Sequence, residues 1–88
     1  MRQPTAEEKL VTVMVYTNDM LARGEMIAHY NIGDINLQAG QFELAAQDLK
    51  IALDISRRKK FVWMEVLAGL DLVEAYIALL DLDSAEQE

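Results

Sequence analysis

The chain has 88 residues, a formal net charge of -7 and no cysteine, and 52% of its residues are apolar. A chain of this length forms one domain with a modest core, and its apolar content argues against a disordered protein. The acidic charge argues against nucleic acid and anionic membrane surfaces as partners, because both require a basic surface. The absence of cysteine excludes disulfides and thiolate chemistry. The N-terminal residues lack the cationic start and apolar core of a signal peptide, so we expect a cytoplasmic protein.

The first predicted element is a flanking helix over residues 5–22. Thr5 is a suitable N-cap, and Glu8 three residues later completes the pattern of a capping box. The interior of this segment, residues 10–16, is rich in β-branched side chains, so a strand is the rival prediction there. We favour the helix because the cap precedes it. Polar residues and a glycine within residues 18–24 predict a break before the next helix.

The best-defined unit is a helical hairpin predicted over residues 26–59. Glycine enters the left-handed region without a Cβ penalty, so Gly40 predicts the turn between the two helices. Before the turn, helical spacing predicts that Ile32, Ile35 and Ala39 face the second helix, and small residues at Gly33, Ala45 and Ala52 should let the two helices approach closely. After the turn, one apolar stripe follows the same spacing. It consists of Ala45, Leu49, Ala52 and Leu53.

Several residues of this hairpin follow a known repeat signature. They are Ile32, Gly33, Gly40, Phe42, Ala45, Leu49, Ala52 and Leu53. Their pattern resembles the tetratricopeptide repeat (TPR), which has a Leu-Gly pair, a turn glycine, aromatic residues and two alanines within about 34 residues. The chain departs from the signature at His29, Asn36 and Ser56, which stand at its Trp, Tyr and Pro positions. The resemblance implies an all-α fold of antiparallel hairpins stacked as a right-handed superhelical array, with about four helices in this chain.

A second copy of the signature begins after the hairpin. A shift of 40 residues places residues 72–74 over residues 32–34 and Tyr76 over Asn36. Residues 61–88 therefore resemble an incomplete second repeat, and a period near 40 resembles the long-helix repeats of bacterial signal-transduction regulators. Leu80 stands at the place of the turn glycine, so we expect either a looser turn or a longer helix there.

Four consecutive cations at residues 57–60 form the only charge run. Cations complement the dipole at the C-terminus of a helix, so the run predicts the solvated end of the second helix of the hairpin. A docking patch for an acidic partner or a phosphate is the alternative.

The most hydrophobic segment is residues 61–80. Its length would suit a membrane span, but Glu65, Asp71 and Glu74 lie inside it, and carboxylates near a bilayer centre are costly. A helix that is apolar nearly all round needs to be covered on more than one side. We therefore expect either a symmetric homodimer built through this helix or a fragment of a longer repeat array. The expected self-association residues are Phe61, Trp63, Leu67 and Leu70.

The sequence holds no enzyme-like set of residues. His29 is the only histidine, and with Glu25 and Asp34 it offers too few ligands for a metal site. We expect His29 to be packed or hydrogen-bonded within the fold. No phosphate-binding loop and no nucleophile motif occurs. The sequence therefore predicts a protein without enzymatic activity, cofactor or metal.

The leading functional prediction is a TPR-like module for protein–protein interaction. Such a module presents a groove from its first helices to a peptide or to a helix of a partner protein. The resemblance places His29, Asn31, Asp34 and Gln38 in this groove. The alternative is a homo-oligomerisation domain of a bacterial regulatory or sensor protein, which uses the apolar helix at residues 61–80.

Overall fold

The computed structural model describes residues 2–87 of the chain, with side chains described for residues 2–83. Three helices occur in this part: α1 (Ala6–Gln38), α2 (Phe42–Lys59) and α3 (Val62–Gln87). The all-α prediction is confirmed, and the described residues contain no strand. The count of about four helices is wrong by one, because two predicted helices form the single helix α1. The right-handed stacking of TPR-like hairpins stays a prediction.

α1 begins at the predicted N-cap. The Thr5 hydroxyl oxygen accepts a hydrogen bond from the backbone N–H of Glu8 at 3.2 Å. Glu7 and Glu8 place two negative charges in the first turn, where they complement the helix dipole. Residues 10–16 continue the helix, so the rival prediction of a strand is wrong. A strand needs a neighbour for its backbone N–H and C=O groups, and the described part of the chain provides none.

No break separates the flanking helix at residues 5–22 from the hairpin. α1 runs through residues 18–24 and is 33 residues long. Asn, Asp and Gly cost a helix interior roughly 0.5 to 1 kcal/mol each, which is small compared with the cost of ending one helix and starting another. Lys59 Nζ donates a hydrogen bond to Asp19 Oδ1 at 3.2 Å and ties this part of α1 to the end of α2.

α2 folds back onto α1 through the predicted turn at residues 39–41, where Gly40 has a φ of +79°. The two helices come closest at Gly33. A Cβ atom there would lie 2.8 Å from Leu49 Cγ and 3.3 Å from the Ala45 carbonyl oxygen, so only glycine fits without displacement. Ala45 and Leu49 are fully buried, as their spacing predicts.

The inward side of α1 differs from the predicted one. Ile32 and Ile35 are 48% and 65% exposed, and Ala39 is exposed as well. Gly33 faces α2, and residues three and four positions away on a helix share its side. The residues that pack inward with Gly33 are therefore Met26, Tyr30 and Leu37.

α3 packs mainly against α2 and follows a tight reversal at Lys60. Lys60 adopts the left-handed conformation, with a φ of 61°, and its N–H donates to the Ser56 carbonyl oxygen. The inner side of α3 is buried in the core. It consists of Met64, Ala68, Leu72 and Ala75. α3 continues past Leu80 without a turn, so the longer-helix alternative is confirmed.

The molecule is elongated, with extents of 71 × 18 × 15 Å. α2 is shorter than α1 and covers only its second half. Residues 6–20 of α1, called here the free half of α1, are exposed throughout although many of them are apolar. The fold therefore leaves two helices with uncovered apolar sides, α1 at one end and α3 along most of its length.

Candidate interaction surfaces

A continuous apolar strip covers the exposed side of α3 and is called here the outer face of α3. Eight of its nine members carry side chains that are 39–65% exposed, and the ninth is a glycine. No charged residue interrupts the strip. Its members are Val62, Trp63, Val66, Gly69, Leu70, Val73, Tyr76, Ile77 and Leu80. Exposed apolar strips of this length mark interaction sites in soluble proteins.

The spacing of these residues explains why they share one side. Steps of four and three residues alternate along the centre of the strip, which is the pattern of apolar seams between paired helices. The central residues are Val62, Val66, Gly69, Val73, Tyr76 and Leu80. Trp63, Leu70 and Ile77 follow one another at intervals of seven and widen the strip along one edge. α3 thus carries one apolar side for its own core and a second one without a partner in the chain.

An open cleft of about 710 Å³ between α2 and α3 adjoins the strip, with Leu53 and Arg57 as its α2 wall. Gly69 lies in this cleft, and a Cβ atom there would meet no other atom. The fold itself therefore does not require glycine at this position, where it costs α3 about 1 kcal/mol relative to alanine. A glycine does allow another backbone to approach closely. The lining of the cleft is mostly apolar, with Arg57 and Glu65 as its charged members.

The structure separates the four predicted self-association residues. Trp63 and Leu70 lie in the outer face of α3, and Leu67 is exposed on the adjoining side of the helix. Phe61 precedes α3 and packs inward, with its ring 5.0 Å from the Arg23 guanidinium. The remaining members of the strip lie on the helix predicted to self-associate, residues 61–80, but are not among the four predicted anchor residues, although their three-and-four spacing is readable in the sequence.

The four predicted groove residues lie on two different sides of α1. His29 Nδ1 lies 2.9 Å from Asp48 Oδ1 on α2, which confirms the prediction of a hydrogen-bonded histidine within the fold. Asn31, Asp34 and Gln38 share another side of α1, where Gln38 Nε2 donates to Asp34 Oδ2 at 3.1 Å. His29 is therefore turned towards α2 and away from the other three.

Tyr30 links α1 to α3, and sequence reasoning did not single it out. Burial, the adjoining Asp71 carboxylate and the negative charge of Asp34 raise the pKa of Tyr30 from 10.0 to about 12. Each of these causes disfavours the phenolate. The side chain therefore stays a neutral phenol that can donate to Asp71 from α1 to α3.

We expect this linkage to make stability depend on pH in the alkaline range. A pKa that is higher in the folded than in the unfolded chain contributes stability below pH 10, and the contribution is lost as the pH rises towards 12. The free energy of unfolding, measured by urea titration, should fall more between a pH just below 10 and a pH near 12 for the wild type than for Tyr30→Phe. An equal loss in both proteins would contradict the linkage.

The cationic run at residues 57–60 closes α2 as predicted, and all four side chains are exposed. Arg57 Nε lies 3.4 Å from Glu65 Oε1, and Arg58 Nε lies 3.1 Å from Asp54 Oδ2. Exposed pairs of this kind contribute about 0 to 1 kcal/mol each. The run therefore forms a positively charged patch at the C-terminal end of α2 and contributes little to stability.

Comparison with known proteins adds no assignment to this geometry. No protein-family model, curated protein or solved structure matches the chain. The TPR resemblance therefore stays a prediction. In the described residues, no three His, Cys, Asp or Glu side chains come together as a possible metal site. None of the helices described here combines the length and the hydropathy that a bilayer crossing requires.

Proposed function

We propose that this chain is a non-enzymatic protein–protein interaction module with a TPR-like scaffold, and that it binds a helix of a partner on the outer face of α3. The single observation that carries the proposal is the uncovered apolar strip from Val62 to Leu80. A chain that leaves a second apolar side on a long helix gains stability when another protein covers it. A cytoplasmic location belongs to this proposal and is supported by the absence of cysteine.

The chemistry of the surface favours a helix over an extended peptide. The strip is straight, and its 19 residues span about 28 Å at the rise of an α-helix. Its side chains repeat at helical spacing and offer ridges for the grooves of another helix. Gly69 lies near the middle, where the two backbones would come closest. In helical repeat proteins the next helix of the array covers the corresponding surface.

The polar residues Asn31, Asp34 and Gln38 provide a weaker candidate contact. They can hydrogen-bond to the backbone of a bound peptide, as the TPR resemblance implies. Binding energy in protein interfaces concentrates in buried aromatic and apolar anchors, which the outer face of α3 offers and this polar set does not. We therefore place the main site on α3.

The second candidate function is homo-oligomerisation within a bacterial regulatory or sensor protein. It is favoured by Trp63 and Leu70, because large apolar side chains in the outer face of α3 can serve as anchors for a second copy as well as for another protein.

Selection from a displayed library of amphipathic helical peptides tests the proposal. We expect the wild type to enrich peptides with apolar residues at three-and-four spacing, and Val66→Glu to weaken their binding at least tenfold. Val13→Glu, on the free half of α1, is the matched control and should bind like the wild type. Failure to enrich any helical peptide, or equal binding by Val66→Glu, would contradict the proposed site.

A further inference from the structure

We infer that the helix that covers the outer face of α3 is α3 of a second copy of this chain, packed antiparallel about a two-fold axis beside Leu70. The inference rests on the proposed function, because it names the occupant of the same docking face. Three observations carry it: the fit of the outer face of α3 to a second copy of itself, the distribution of charge along the chain, and the exposed area of this face.

The outer face of α3 is complementary to the same face of a second copy when the two α3 helices run in opposite directions. In antiparallel pairing about this axis, Val62 meets the partner's Leu80 and Val66 meets the partner's Tyr76. Gly69 then meets the partner's Val73, so the smallest residue receives a branched one at the centre. Along the widened edge, Leu70 meets the partner's Leu70, and the partner's Ile77 lies against Trp63. Each of these contacts between the two strips is apolar, and each occurs twice except that of Leu70 with the partner's Leu70, which lies at the two-fold axis and occurs once.

Charge along the chain selects the antiparallel direction. Seven acidic residues and no basic residue follow Lys60. They are Glu65, Asp71, Glu74, Asp81, Asp83, Glu86 and Glu88. In the antiparallel register the partner's Asp81 and the partner's Asp83 come level with the cationic run at residues 57–60. A parallel pair would instead place the acids of the two copies side by side, and like charges in juxtaposition disfavour a complex.

The exposed area of the strip matches what a dimer needs. Eight side chains of the outer face are 39–65% exposed. At roughly 100 Å² each they hold about 800 Å², which is the area that one partner contributes to a stable complex of ordinary size. The cleft beside α2 adds contact with Leu53 and Arg57, because a helix seated on α3 also reaches that wall.

Solution mass over a wide concentration range is the first test. We expect the wild type to form a concentration-dependent dimer and Val66→Glu to remain a monomer with unchanged helix content. The Val66 side chain is 53% exposed, so the substitution does not enter the core. Val13→Glu, at a side chain that is 60% exposed on α1, is the matched control and should dimerise like the wild type.

Direction and register need a second measurement, and the absence of cysteine makes single spin labels straightforward. A nitroxide on Leu82→Cys, at an uncharged side chain that is 49% exposed, should give a distance of about 33 Å between the two copies of an antiparallel dimer. A parallel dimer would give roughly 10 Å, the spacing of adjacent helices.

The outcomes separate this inference from the proposed function. A monomer at every concentration that still binds selected helical peptides through Val66 overturns the second copy and leaves the docking face standing. A dimer that survives Val66→Glu, or one whose labels lie close together, also overturns the inference. Absence of both dimer and peptide binding overturns the inference and the proposed function together. A dimer lost in Val66→Glu alone, with the long label distance, supports both.

Discussion

Replacing Gly33 by valine should lower the free energy of unfolding by about 3 kcal/mol. A Cβ atom at this position would lie 2.8 Å and 2.9 Å from two carbons of Leu49 and 3.3 Å from the Ala45 carbonyl oxygen. Leu49 is fully buried, so any shift of its side chain disturbs the core around it. The branched side chain would therefore force α1 and α2 apart along the only well-packed part of α1. Domains of this size are marginally stable, so the expected loss is a large share of the total.

Gly24→Val is the matched control for this prediction. Gly24 also lies inside α1, but a Cβ atom there would meet no other atom. The same substitution should change stability by about 0.5 kcal/mol or less, because only helix propensity is altered. Urea titrations of the wild type, Gly33→Val and Gly24→Val, all at the same protein concentration, measure the difference in free energy of unfolding. A similar result at both positions would contradict the close packing of α1 against Leu49.

The hairpin could be predicted because small residues and a turn glycine leave few alternatives. Gly40 determines where the chain reverses, since the turn needs a positive φ. Ala45, Leu49 and Ala52 lie at helical spacing, and all three are fully buried. In this part of the chain, local preference and tertiary packing favour the same structure.

The inward side of α1 could be predicted only in part, because the small size of Gly33 indicates where α2 can approach while the spacing of the larger apolar residues indicates another side of the helix. Ile32 and Ile35 give a clear stripe by size, but Gly33 lies on the side that α2 approaches. Glycine contributes nothing to an apolar pattern, yet it decides how close two backbones come. α1 therefore contacts α2 through the side that carries its smallest residue, and the two isoleucines stay exposed.

The length of α1 was underestimated for a related reason. Residues 18–24 contain helix-disfavouring residues, but none of them takes a positive φ, and the segment holds no proline. Intrinsic preferences of this size are small compared with the cost of ending one helix and starting another. At Leu80, the absence of a glycine likewise let α3 continue.

The candidate site was only partly readable from side-chain size. Phe61 and Trp63 are both predicted self-association residues because of their large apolar side chains. However, Phe61 packs against Arg23, while Trp63 lies in the outer face of α3. Spacing at three and four residues identifies the rest of the strip, from Val66 to Leu80. The sequence could not show which of the two apolar sides of α3 faces α2, because each has helical periodicity.

Hydrogen exchange along α1 should differ greatly between its two halves. Below the concentration at which the chain dimerises, amides of residues 8–20 should exchange roughly a thousandfold faster or more than those of residues 26–37. No side chain is buried in the free half of α1, so opening its backbone exposes little apolar surface. An isolated helix of this length is marginal in water. The second half opens only when Met26 and the residues around Gly33 leave the core.

Exchange measured at higher concentration then shows whether assembly covers α1 as well as α3. Pairing through the outer face of α3 should protect amides near Gly69 and Leu70 and leave the free half of α1 fast. Equal protection in both halves of α1 below the dimerisation concentration would contradict the view that α1 is stabilised only where other helices of the chain cover it. Protection of residues 8–20 that rises with concentration would instead place a second copy on α1, and the antiparallel α3 pair would then not account for the assembly. The exchange profile of a single helix thus distinguishes which of the two uncovered apolar sides the protein uses.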